Sequence, residues 1–326
     1  MSEQPIATRH IVVGRPDLHG TDRRAIAVDL AAEHGGVVHR LALAEHGIDR
    51  FGIRNEVIAG RWFKVGRHTV AIGTPELNEV AQRWRAVWES GSGARLDGVS
   101  ALQAVGMTGF SSAVIDVTLP KTSHTHQVER VRLHLPREPA PVVGAGIRRV
   151  APEIATVHAA QWAVSDRQAA LLICLPMQQR LTTAARLQMA WRAMFRSPRR
   201  RFLNTVIGDV TDGAHSLGEL DFARMARQIG LPSPTRQALR EGPAGRVYLD
   251  VSWDDVGLVV EIDGGHHALA LNPIDDALRQ NDRVATGERV LRVPVLGLRL
   301  VPEKFMQQAR HTYDVLRAEA SRPGRR

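Results

Sequence analysis

The stretch Arg246–Asp263, "RVYLDVSWDDVGLVVEID", can fold in few ways. Its flanks are rich in Val, Ile, Tyr and Trp, and Asp254–Gly257 between them has turn chemistry. The sequence therefore predicts a β-hairpin with strands at Arg246–Trp253 and Leu258–Asp263. A four-residue loop sets Trp253 against Leu258, and counting back along the antiparallel ladder sets Asp250 opposite Glu261. Side chains alternate faces with a period of two, so Asp263 shares the face of Glu261. Opposed residues have Cβ atoms roughly 4.5–5.5 Å apart, and like charges placed there are destabilising. Three acids so arranged require a cation, a proton or a different register. A hard dication, Mg²⁺ or Mn²⁺, meets the need: such ions take oxygen ligands and combine one or two carboxylates with phosphate oxygens and water.

The chain has 326 residues with 44% hydrophobic content, enough for two or three ordinary globular domains. Its single cysteine, Cys174, excludes an internal disulfide and any zinc site built on several thiolates, and in "ALLICLP" it reads as a buried core thiol. No stretch approaches the roughly 20 apolar residues of a membrane span, and the first residues lack the apolar core of a secretory signal. The expectation is a cytoplasmic protein with no membrane partner. A net charge of +9 favours a polyanionic partner, nucleic acid before membrane. Lysine occurs only at Lys64, Lys121 and Lys304, so almost all positive charge is arginine.

From Thr21, a plausible N-cap, the pattern is helical and stops at Gly35 and Gly36. A short helix follows from about His39 to Glu45, then a turn at His46 and Gly47. A second helix runs from its cap Asp49 to Ala59, closed by Gly60. A basic hairpin, Arg61–Ile72, turns near Gly66. This outline predicts a winged helix-turn-helix that binds double-stranded DNA. Arg50, Arg54 and Asn55 can reach base edges or phosphates from the second helix of the pair, and Arg61, Lys64 and Arg67 can touch backbone phosphate from the wing. A protein-interaction module has the same outline, and the basic wing is what favours DNA. Residues 74–205 read as a helix, two strands ("SAVIDVTLP" and "VERVRLHLP") and helices from Pro152 to Phe195. His124 and His126, in a polar loop with no nearby carboxylate, read as exposed.

Beyond Thr205 the acids come in an order that carries meaning: Glu219 near a helix start, Asp250 on the first strand, Glu261 and Asp263 on the second. Each has a structural reading too. Ser216 and Glu219 form a capping box, Asp250 can pair with Arg246 or Arg279, and Asp275 and Asp276 suit the start of a helix. "YLDVSWDDVGLVVEIDGGHH" followed by "PIDDALRQNDRVATGERVLRVP" resembles the very short patch repair endonuclease-like branch of the PD-(D/E)xK nucleases, in particular the bacterial domain of unknown function 559. The likeness spans about Ser216 to Pro302 and matches Glu219, Asp250, Glu261, Asp263, His267, Asp276 and Arg279 in turn. The region ahead of it is similar to the amino-terminal part of AbiEi-like proteins, named for the antitoxin of type IV toxin-antitoxin systems.

The resemblance implies Mg²⁺-dependent (or Mn²⁺-dependent) hydrolysis of DNA phosphodiesters. Asp250, Glu261 and Asp263 serve the metal, His267 helps activate the nucleophile, Glu219 orients a water, and Asp276 and Arg279 support the site. Asp263 stands where the motif usually has lysine, and His267 or His266 is the histidine able to compensate. The one cysteine cannot build the structural zinc site of the repair enzymes. The rival expectation is an AbiEi-type antitoxin or regulator with an inactive nuclease fold and a cognate toxin as partner; a protein-interaction scaffold is the third. The expected fold is α+β: a tail over 1–20, the winged helix over 21–73, a mixed region over 74–205, a restriction-endonuclease-like domain over 206–312 and a basic tail over 313–326.

Overall fold

The computed structural model describes residues 20–211, 222–242, 246–263, 274, 277–278, 281 and 290–321. In chain order the first elements are α1 (Gly20–Ala32), β1 (Val37–His39), α2 (Arg40–Glu45), α3 (Arg50–Ile58), β2 (Trp62–Lys64), β3 (Thr69–Ile72) and α4 (Glu79–Ser90). Next are β4 (Arg95–Leu96), α5 (Gly98–Ala104), β5 (Ile115–Thr118), β6 (Val131–His134), α6 (Pro152–Trp162), α7 (Asp166–Gln178), α8 (Ala184–Ala193) and α9 (Arg200–Thr211). The last group is α10 (Phe222–Gln228), β7 (Arg236–Gly242), β8 (Arg246–Trp253), β9 (Leu258–Asp263), β10 (Val290–Pro294), α11 (Val295–Leu300) and α12 (Pro302–Ala320). The class is α+β, as expected. Among the described residues no helix is long and apolar enough to cross a membrane.

Two units divide the chain: residues 1–94 with 119–137, and residues 95–118 with 138–326. The first reaches past the boundary predicted at 73 because α4 covers the small sheet, with Ala81, Trp84 and Trp88 packing on Val37 and Ala71. That sheet has the order β1-β3-β2, antiparallel throughout. The "VVH" of β1, three residues long, adds a strand to the predicted hairpin by pairing Val37 with Ala71. On the opposite side Ala27, Ala31, Leu43, Ile48, Ile53 and Trp62 form the core that holds α1, α2 and α3 together. Helix α1 starts at Gly20, so Thr21 lies inside it and is not its cap.

In the second unit a buried polar knot ties three elements together. Asp97, with no exposed surface, caps α5 by accepting from Gly98 N at 2.7 Å. It also accepts from Thr118 Oγ1 on β5 at 2.7 Å and meets His158 Nδ1 on α6 at 2.9 and 3.0 Å. The mixed sheet has the order β10-β9-β8-β7, with β7, β8 and β9 antiparallel and β10 parallel to β9. Helix α12 packs on it through buried Phe305, Met306, Ala309 and Tyr313. The Trp253 ring of β8 meets those of Phe222 and Tyr313 edge-on, centroids 6.3 and 6.2 Å away, and Tyr313 Oη donates to Asp255 at 2.7 Å.

Two boundaries predicted from sequence fall inside helices. The one at 205 cuts α9, whose buried Leu203, Val206, Ile207 and Val210 make a continuous stripe at helical spacing. The one at 312 cuts α12, which runs to Ala320 because Tyr313 and Leu316 continue its buried face; a basic tail starting at 313 is therefore corrected.

Candidate nucleic-acid interface and carboxylate site

In the first unit, α2 and α3 meet at a tight turn that Gly47 makes possible by adopting φ 80°. Asp49 then caps α3, accepting from Phe51 N at 3.1 Å and Gly52 N at 2.8 Å. Gly52, Ile53 and Glu56 face the core, which leaves Arg50, Arg54 and Asn55 exposed as the sequence predicts. The Arg50 guanidinium lies over the Phe51 ring, 4.7 Å from its centroid. Lys64 and Arg67 are also exposed. Arg61 is different: its Nε is bound to the buried carboxylate of Glu56, so its charge is already matched.

The tip of the β2–β3 hairpin is held from below by α4. Glu89, 6% exposed, accepts from Arg67 N at 2.8 Å, His68 N at 2.7 Å and Thr69 Oγ1 at 2.6 Å. A Cβ at Gly66 would collide with the Glu89 carboxylate, which is why glycine stands there. Above this support a cleft of about 270 Å³ opens, with Arg40, Arg50, Lys64 and Arg67 around it and Ile53 and Val70 in its lining. Arg40, at the first position of α2, donates from Nη1 to Arg67 O at 3.0 Å. Sequence reasoning missed Arg40 and Glu89, since both act across the tertiary fold and no local pattern marks them.

His39 caps α2 with Nδ1, which accepts from Leu41 N at 3.2 Å, so the neutral tautomer with Nε2–H is the one that fits. Its ring stacks on His68, centroids 5.7 Å apart. Burial, then the His68 charge, lowers its pKa below 6.5; Glu89 opposes this, Arg40 adds to it and Glu45 opposes it weakly. A depressed histidine favours folding above the unfolded pKa, and the gain is lost as pH falls from about 6.5 through the folded value. Thermal unfolding between about pH 8 and 5 should show the first unit weakening on the acid side. His39→Ser, which keeps an N-cap acceptor, should flatten that acid slope.

In the second unit the hairpin register is the one predicted, with Trp253 against Leu258 and Asp250 against Glu261. Leu249, Val251, Leu258, Val260 and Ile262 are buried, whereas Asp250, Ser252, Val259, Glu261 and Asp263 lie half-exposed on the other face. The row through the acids is Ala238, Asp250, Glu261, Arg292 on β7, β8, β9 and β10. Arg292 is the cation that sequence reasoning missed. Its Nε lies 3.5 Å from Glu261 Oε2, with 69% of its side chain exposed against 24% for Glu261. Asn281 fixes the Arg292 backbone, donating from Nδ2 to its carbonyl at 3.0 Å and accepting its N–H at 3.2 Å. Finding this pair from sequence needs the parallel β9–β10 register, which no turn sets.

Asp263 sits two pairs further along β9, opposite Tyr248 and next on the same face. Among the described residues no three His, Cys, Asp or Glu side chains form a metal-holding group, so the expected trio reduces to an Asp250–Glu261 pair with Asp263 displaced along the strand. Glu219, His267, Asp276 and Arg279, with Ser216, His266 and Asp275, lie outside the described residues. His124 and His126 are exposed. Two facing carboxylates fit a hard dication that completes its shell with phosphate oxygens and water. Compared with protein-family models and with curated proteins, the chain matches none.

Proposed function

We propose that this chain binds duplex DNA through its first unit and hydrolyses DNA phosphodiesters at the Asp250–Glu261 pair of its second. The observation that carries the reading is that pairing, on the half-exposed face of a mixed sheet. Supporting it, the strand of Asp250, the strand of Glu261 and Asp263, helical residues at Ile274, Ala277, Leu278 and Asn281, and the last strand β10 follow one another in the order strand, strand, helix, strand of the motif that the sequence resembles. Three helices and a three-stranded sheet support the winged-helix reading of the first unit. In that reading α3 enters the major groove, where Arg50, Arg54 and Asn55 meet base edges or phosphates, while Lys64 and Arg67 meet backbone phosphate. Arg61 is assigned no DNA contact, since Glu56 occupies it.

Asp250 and Glu261 would hold Mg²⁺ or Mn²⁺, an ion that when bound polarises a phosphate oxygen and lowers the pKa of water. Asp263, further along the same face, would orient water as a hydrogen-bond acceptor. Arg292 neutralises Glu261 beside it; as a surface pair at 3.5 Å it contributes about 0–1 kcal/mol, too little to keep a dication out. The resemblance leaves activation of the nucleophile to His267 and a water-orienting role to Glu219.

The same ion pair favours a second reading, a DNA-binding regulator of the AbiEi antitoxin kind, with a toxin as partner, in which Arg292 is the resident cation and no turnover occurs. Supercoiled plasmid incubated with Mg²⁺ or Mn²⁺ separates the two. Nicking by the native chain that is lost in Asp250→Ala and Glu261→Ala is the expected result. Equal absence of nicking in all three proteins, with gel-shift binding retained, leaves the regulator.

A further inference from the structure

We infer that the cleft between the start of α2, the start of α3 and the β2–β3 hairpin is a phosphate-binding site with Arg40 as one of its ligands and Glu89 as the residue that positions its rim. The inference deepens the DNA-binding reading and rests on it only for the source of the phosphate.

Four cations from three elements, Arg40, Arg50, Lys64 and Arg67, surround one opening. Among the described residues none of them is ion-paired to a carboxylate, in contrast to Arg61 a few residues away. Like charges gathered around one opening repel; the buried Glu89 carboxylate under the hairpin tip offsets part of that cost, and an anion seated among them relieves the rest. The rim is also held still before any ligand arrives. Arg40 ties the Arg67 carbonyl, and the buried Glu89 accepts from three donors of the hairpin tip, so little ordering is left for binding to impose. At about 270 Å³ the cleft falls below the ~300–1,000 Å³ of drug-sized sites, which suits one phosphate with part of its sugar against Ile53 and Val70. Guanidinium forks match phosphate geometry with paired N–H donors, and three of the four cations are arginines.

The test is a titration of the full chain with inorganic phosphate at constant ionic strength, followed through the amide resonances of Gly66, Arg67 and Thr69, beside duplex binding measured across a salt series. Saturable shifts that weaken about tenfold in Arg40→Ala and recover in part in Arg40→Lys are expected. Arg24→Ala, an exposed change on α1, controls for net charge and should leave them unaltered. A salt slope of duplex binding that falls by about one unit in Arg40→Ala assigns the phosphate to the DNA backbone. Saturable phosphate binding without any duplex binding assigns a free phosphorylated ligand and overturns the DNA reading alone. Shifts that never saturate, together with an unchanged salt slope in Arg40→Ala, overturn the cleft and leave the DNA reading to stand on α3.

Discussion

Asp97→Ala is expected to lower the thermal midpoint of the second unit by roughly 10 °C, the largest loss of stability that any single change described here should cause. The carboxylate is fully buried and receives Gly98 N–H, the Thr118 hydroxyl and His158 Nδ1. Alanine leaves those groups buried with no acceptor, at about 1–3 kcal/mol for each that cannot turn to a new partner. Allowing for partial relaxation, the total is on the order of 4 kcal/mol, and a unit of this size loses about 2–4 °C per kcal/mol. Asp97→Asn keeps one acceptor oxygen and should fall between alanine and the native chain. Calorimetry on the three proteins decides the matter; an alanine midpoint within about 2 °C of native would mean that the knot contributes nothing net.

Glu261→Ala and Asp250→Ala should each reduce metal-dependent nicking by about a thousandfold. A bound dication supplies several kcal/mol of transition-state stabilisation, and each 1.4 kcal/mol is a factor of about ten in rate. Neither position belongs to the buried face, so both variants should remain folded, and gel-shift affinity, which the first unit carries in this reading, should be unchanged. Arg292→Gln makes the complementary case. Its pair with Glu261 is exposed and long, so the metal concentration needed for half-maximal nicking should drop by no more than several-fold. A collapse of the hairpin in Arg292→Gln, read as a lost unfolding transition, would instead make the arginine the cation that the site was built around.

The hairpin was legible because its information is local. Alternating Val, Leu, Ile and Trp define one face, a four-residue turn defines the register, and together they place Asp250 against Glu261 to the residue. The caps at Asp49 and the exposure of Arg50, Arg54 and Asn55 were legible for the same reason. What escaped was long-range or short. Strand β1 has three residues, and β7 ("RQALREG") carries no alternation strong enough to announce a strand. Glu89 reaches the hairpin tip from about twenty residues away, His158 reaches Asp97 across 61, and Arg292 meets Glu261 only through a parallel register. Arg61 is the converse case, since nothing local in the sequence shows that the fold brings buried Glu56 to its guanidinium. The helices that cross 205 and 312 are defined by apolar spacing, which runs on past both positions.

The way α12 closes over the sheet has a bearing on how the protein is made. Trp253 meets the rings of both Phe222 and Tyr313, and Arg310 Nη1 reaches the carbonyls of Ile229 and Gly230 at the end of α10. While the chain is still on the ribosome, everything up to β10 can exist without that cover, with one wall of the tryptophan site missing. Maturation of the carboxylate-bearing sheet therefore waits until residues 302–320 have emerged from the exit tunnel, long after the amino-terminal unit is free to fold.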